Sequence, residues 1–291
     1  MPSDSAAFHL RCILALACVS LIAPVSHAQS TAAEIKARLL NKPLYLRGFW
    51  SNDNLHFDAT GNLTVPSNSV SFTLSGFELE SVNLKQNKLI LEGRRVGLEL
   101  ANNQQKRVAI NVGNPRHPKD EKIAIEVDPG PDGNYAHALD AIFVDNLADI
   151  VPTLPLYWTH YAHNNLVPAS TTPTPASPAA ITTAPNQQPP EAANARPKRV
   201  GGSITAPKLL HASEPDFNNF ARNLKYSGKV LVNFHIETDG TVSHASIILP
   251  LGLGLDERAL DAVQHYVFSP AKEAGQPVVV EANVEVNFQI Y

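Results

Sequence analysis

The stretch Glu214-PDFNNFARNLKYSGKVLVNFHIETDG-Thr241 decides the fold, and Val280-EANVEVNFQI-Tyr291 completes it. Behind Pro215, the residues Phe217, Phe220, Ala221 and Leu224 recur at intervals of three and four, which lays one apolar face along a short helix. Gly228 ends that pattern. Val230, Val232, Phe234 and Ile236 then alternate with other residues at the period of a half-buried strand, and Asp239-Gly240 is a strong hairpin signal. Read as a two-residue loop, it sets Val230 opposite Leu249, Val232 opposite Ile247 and Phe234 opposite Ala245, apolar on apolar, with His235 opposite His244 on the other face.

Beyond the hairpin, Gly252 and Gly254 interrupt the strand. Leu255, Ala259, Val263 and Tyr266 share one face of a second helix, whose first turn places Asp256 and Glu257 at its positive end. Phe268-Ser-Pro270 and Gly275-Gln-Pro277 punctuate the chain before the last strand. There Val280, Ala282, Val284, Val286, Phe288 and Ile290 alternate with Glu281, Asn283, Glu285, Asn287 and Gln289. The expectation is an α+β chain whose residues 201–291 form a module of two helices on a three-stranded antiparallel sheet.

Taken in order, these elements resemble the C-terminal domain of the TonB family. That pattern joins a proline and an aromatic opening a helix, a glycine before a V-x-V-x-F strand, a D-G hairpin, a short helix ending in aromatic-x-aromatic-x-Pro, a G-x-P turn and a final V-x-V-x-F strand. Here Pro215, Phe217, Ala221, Gly228, Val230, Val232, Phe234, Asp239-Gly240, Tyr266, Phe268, Pro270, Gly275, Pro277, Val284, Val286 and Phe288 supply it. The chain departs from the family in having Phe217-Asn218 where Tyr-Pro is common, and Glu214 at the polar position before the helix proline. The resemblance implies a non-catalytic module in the periplasm or cell envelope of a Gram-negative-type bacterium. Its partners would be TonB-dependent outer-membrane transporters, each adding a short extended segment to the exposed final strand. The partner-binding residues implied are Glu214, Phe217, Val280, Glu281, Ala282, Asn283, Val284, Glu285, Val286 and Asn287. An uncleaved N-terminus would add an inner-membrane proton-channel complex as partner. A cleaved one points instead to a non-energised periplasmic adaptor or scaffold using the same edge, which also offers a route to a homodimer.

Ahead of the module, Val167–Pro190 is uncharged, with seven prolines between Pro168 and Pro190. Residues 166–200 read as a linker, at most about 105 Å long as polyproline II and roughly 30–35 Å as a coil, separating two domains without fixing their geometry. Residues 31–165 read as a β-rich domain with flanking helices. Ala32–Leu40 has helical spacing that stops before Pro43. Leu44–Val127 reads as a meander of short strands, with a bend at Gly76 and a further register shift near Ser81. Leu139, Ile142, Phe143, Leu147, Ile150 and Val151 recur at helical intervals, which predicts a terminal helix over Ala136–Val151. Residues 1–28 read as a secretory signal: Arg11, the apolar run Cys12–Val25, then Ser26 and Ala28. Its run of about 14 residues falls short of the roughly 20 that cross a hydrocarbon core.

Cys12 and Cys18 both lie in that segment, so its cleavage removes disulfides, thiolate metal sites and cysteine nucleophiles together. A net charge of −4 and the lack of a basic run longer than Arg196-PK-Arg199 argue against nucleic acid as a partner. No catalytic motif names a nucleophile or base, and no cofactor is expected. His160 and His163 have helical metal-ligand spacing without an evident third ligand, and read as a surface junction. His235 and His244 face each other and read as an exposed cross-strand pair. Asp128-PGPD-Gly133 lacks the ligand rhythm of a calcium loop. Of Arg94 and Arg95, adjacent in a strand, at most one can line an anion site.

Overall fold

The computed structural model describes residues 31–112, 119–167 and 196–290; the signal-like segment and most of the Pro-rich stretch lie outside them. Helix α1 (Ala32–Leu39) starts at Thr31, whose hydroxyl accepts from Glu34 N while the Glu34 carboxylate accepts from Thr31 N. That reciprocal cap satisfies two otherwise orphaned donors. Strands β1 (Leu44–Leu46), β2 (Asn54–Phe57), β3 (Gly76–Lys85), β4 (Lys88–Glu99), β5 (Lys106–Ala109) and β6 (Lys122–Val127) follow, then helix α2 (Ala136–Ile142) and β7 (Phe143–Val144). They form one sheet in the order β2-β6-β4-β3-β1-β7, with β5 on the end of β4. The order is not that of the expected meander, because β1 pairs with β3 and β2 runs parallel to β6. Ile35 and Leu39 of α1 and Ala138, Leu139 and Ile142 of α2 pack with Phe57, Phe77, Leu89, Leu91, Ile125 and Val127 in a first core.

The register shift near Ser81 is present, one extra residue of β3 between Leu79 and Ser81. Gly76 pairs regularly with Val96, and it is small for another reason: a Cβ there would lie 2.4 Å from the Val96 carbonyl oxygen. The helix expected over Ala136–Val151 stops at Ile142. Phe143 and Val144 pair with Leu46 and Tyr45, and Leu147–Thr153 winds as a 3-10 segment around Pro152. The helical spacing recurs because these pieces all bury apolar residues, not because one helix carries them. Arg94 pairs with Glu78 and Asp120, while buried Arg95 holds Glu121 Oε1 at 3.0 Å and the Leu74 carbonyl at 3.2 Å. Both guanidinium groups are thus spent on protein partners.

After helix α3 (Thr159–Asn165), the C-terminal part contains β8 (Lys198–Arg199), β9 (Lys208–His211), α4 (Asn219–Asn223), β10 (Gly228–Ile236), β11 (Val242–Leu249), α5 (Leu255–Gln264), β12 (Val267–Ser269) and β13 (Val280–Phe288). Its main sheet runs β8-β13-β10-β11, and β9 pairs with β12 apart from it. Three antiparallel strands therefore gain a fourth, because Lys198–Arg199, read as the linker's end, adds parallel to β13 at Val280 and Glu281.

The β10–β11 hairpin also differs from its expected register. Glu237 N donates to Thr241 O and Gly240 N to Glu237 O, with Gly240 at φ 87°, so the loop has three residues, Thr238-Asp239-Gly240. Val232 does face Ile247. His244, at φ 51°, is an extra residue that sets His235 opposite Ser243, and a second shift sets Leu231 opposite Leu249. Val230 and Phe234 lose their expected partners through these two irregularities.

The two parts do not lie free of each other. Leu98, Leu100, Phe72, Trp158 and Tyr161 share one buried cluster with Val232, Ile247, Leu251, Leu253, Leu255 and Val263. Across it Leu100 N donates to Leu251 O and Leu253 N to Leu98 O, both at 2.9 Å, an antiparallel bridge between β4 and the loop before α5. Gly254 N donates to Thr73 Oγ1, and Trp158 Nε1 to Glu257 Oε1. Buried Asp256 accepts from Leu251 N at 2.7 Å and Gly252 N at 2.9 Å, holding that loop in shape.

Candidate docking site

Strand β13 is positioned by an unbroken antiparallel register on β10, from Gly228 opposite Phe288 to Ile236 opposite Val280. Alternation then sorts its side chains. Val280, Val286 and Phe288 are buried, Ala282 and Val284 are half-buried, and Glu281, Asn283, Glu285 and Asn287 are exposed. Each fully buried apolar side chain contributes about 1.5–3 kcal/mol relative to exposure, so the strand cannot slip by one residue without turning this face to water.

The polar face is tied to β10. Asn233 Nδ2 donates to Glu281 Oε1 at 2.9 Å and to Asn283 Oδ1 at 2.7 Å, and Lys229 Nζ lies 2.6 Å from Glu285 Oε2. The last pair is well exposed and contributes little. Backbone direction follows from one bond: Lys198 N donates to Val279 O across the strand's outer edge. Backbone groups alternate sides along a strand, so residues 281, 283, 285 and 287 turn their N–H and C=O to that edge. Strand β8 covers its start, at Val280 and Glu281. From Ala282 to Phe288, no strand among the described residues pairs there.

Phe217 comes to the same end of the module. Its ring packs edge-on against Phe288 at 5.6 Å between centroids, and the Arg222 guanidinium sits 5.9 Å from its centroid. Asn218, where the family commonly has proline, caps α4 by accepting from Ala221 N at 2.8 Å and donates to Leu253 O. Phe217 and Asn218 line a groove of about 730 Å³ with Asp216, Phe220, Asn223 and Arg258. Glu214 is exposed in the extended segment before α4, outside that groove's lining. The structure therefore brings Phe217 to the end of the strand, at Phe288. Sequence reasoning missed Asn233, whose amide spans two strand positions, and the β8 cover. The first is signalled by its place opposite Asn283 once β10 and β13 are paired; a two-residue strand in a Pro-flanked basic run carries no such signal.

Two raised acids lie in the first turn of α5. Burial pushes Asp256 up, with Glu257 adding to the effect. Glu257 is also pushed up by burial, against the opposing hydrogen bonds from Trp158 and Ser71.

Residues 213–290 match the model of the Gram-negative bacterial TonB protein C-terminal. Among solved structures, the chain is similar to the solution NMR structure of the Pseudomonas aeruginosa TonB CTD, with 22% identity over 31% of this chain and 90% of that one and a TM-score of 0.25. No curated protein matches the chain.

Proposed function

Given that residues 213–290 form a TonB-family C-terminal domain, we propose that this protein works in a Gram-negative cell envelope. There its β13 edge takes up an extended segment of an outer-membrane transporter by strand addition, in the service of transport across that membrane. The observation that carries this reading is the outer edge of β13 from Ala282 to Phe288, with alternate backbone groups turned to it and a polar face that protects it from indiscriminate pairing. A transporter segment would hydrogen-bond to residues 283, 285 and 287 and reach Phe217 beside Phe288. Extending further, toward Val280, requires that Lys198–Arg199 give way.

Substituting Glu285→Pro tests this directly. It removes an outward N–H without touching the bonds to β10, and an edge strand tolerates proline where its N–H faces outward. Affinity for peptides from the periplasmic N-termini of transporters of the same cell, read by fluorescence anisotropy, should fall about tenfold, while Glu285→Gln binds as the parent does. Equal binding by Glu285→Pro would refute the edge as the docking site.

A non-energised adaptor or scaffold is the second reading, favoured by the core that the module shares with residues 31–165. A head held against its neighbour suits presentation of a fixed surface better than reaching. Among the described residues no helix is long and apolar enough to cross a membrane.

A further inference from the structure

On the outward face of the β10–β11 hairpin, two imidazoles and a carboxylate converge. The rings of His235 and His244 lie 4.8 Å apart between centroids, tilted by 31°, and one ligand atom from each of His235, Glu237 and His244 falls within 4.8 Å of the other two. We propose that these three side chains form a binding site for a divalent transition ion of borderline softness, with zinc as the representative, a role separate from docking at β13.

The local backbone supports the assignment. His244 is the extra residue of a bulge, held at φ 51°, and it is this bulge that stacks its ring against His235 although His235 pairs with Ser243. Bulges of this kind re-aim side chains. Ser243 Oγ donates to Glu237 Oε1 and lies 2.8 Å from His244 Nδ1, so one hydroxyl links the carboxylate to the second imidazole. Glu281, opposite His235 and held by Asn233, adds negative charge beside the cluster.

Two histidines and one carboxylate are a known zinc donor set, with water completing the tetrahedron, and its ligand atoms sit roughly 3.3 Å apart. Closing to that spacing takes side-chain rotation of exposed His244 and leaves the strands in place. The second cluster of such groups among the described residues, His56 with Glu126 and Asp128, differs in one respect: the Lys88 ammonium already sits on both carboxylates.

Calorimetric titration of the tag-free full chain with zinc chloride in a non-chelating buffer at neutral pH should show one saturable site. His235→Ala and His244→Ala should each weaken it about tenfold or more, whereas His56→Ala should leave it unchanged. Cobalt(II) should give the visible bands of four-coordinate nitrogen and oxygen ligation in the parent and lose them in His244→Ala. If either alanine variant departs from the parent's circular dichroism, Glu237→Gln replaces it and is read the same way. Absence of saturable zinc binding, or parental affinity in the ligand variants, overturns the proposal.

Discussion

At Gly252 a single hydrogen atom decides whether the two halves of the chain can meet. Its φ is 95°, and a Cβ there would lie 2.1 Å from the Leu98 carbonyl oxygen, inside the bridge between β4 and the loop before α5. Gly252→Ala combines left-handed strain with that clash, so it should cost about 2 kcal/mol or more, measured by urea unfolding. Four residues on, Asp256 sets a pH dependence. Its folded-state value is raised to about 7, first by burial and then by Glu257. A raised acid binds more protons folded than unfolded, so its contribution is fully present below the ordinary carboxylate range and is lost as pH rises toward 7. The stability difference between the parent and Asp256→Asn should therefore shift against the parent between about pH 4 and pH 7, then level off. Unfolding midpoints for both proteins across that window check the sign. In the sequence, Gly252 and Gly254 are legible as a strand break and Asp256 as a helix-start acid. What presses on Gly252 is not legible, because Leu98 comes from far earlier in the chain.

At the scale of elements, strands whose two faces differ were readable. Strand β13 declares its buried and exposed residues by alternation, and the structure keeps that sorting at Val280, Val286 and Phe288. Hairpin geometry was less readable, since Asp239-Gly240 suits a two-residue loop and the observed three-residue loop alike, and His244 in a bulge gives no warning. The β3–β4 hairpin shows the reverse case. Gln86 and Asn87 both have positive φ, 50° and 62°, a two-residue loop with mirror-image turn geometry. Asn87 tolerates this conformation, whereas Gln86 pays for it. Replacing Gln86-Asn87 by Asn-Gly should therefore raise stability by about 1 kcal/mol, seen as a higher Tm in a thermal scan. The misread helix over Ala136–Val151 has a different cause: the Phe143–Val144 pairing with β1 breaks it, while every piece still buries apolar residues at similar spacing.

For the whole molecule, composition reads as a linker over residues 166–200 and says nothing of whether the parts on either side of it meet. Leu98 and Leu100 lie far from Leu251 and Leu253 in the sequence, and only the folded chain shows them as one another's partners. Because that cluster joins the C-terminal module to residues 31–165, unfolding either part strips apolar cover from the other and breaks the Leu100 N–Leu251 O and Leu253 N–Leu98 O bonds. Two independent domains would give two transitions; a shared core gives one. Trp158 reports on the junction, since its indole N–H bonds Glu257 and its ring packs edge-on against Phe72 at 4.6 Å. Chemical unfolding followed by tryptophan fluorescence and by far-UV circular dichroism should therefore give coincident curves. A protease site inserted among residues 170–190 supplies the complementary test. After cleavage the two fragments should co-elute in gel filtration, because the contacts that join them do not depend on chain continuity, and Trp158→Ala, which removes both the hydrogen bond and the packing, should let them separate. Fragments of the parent that part immediately on cleavage would show the junction to be too weak to hold the docking edge in a fixed orientation.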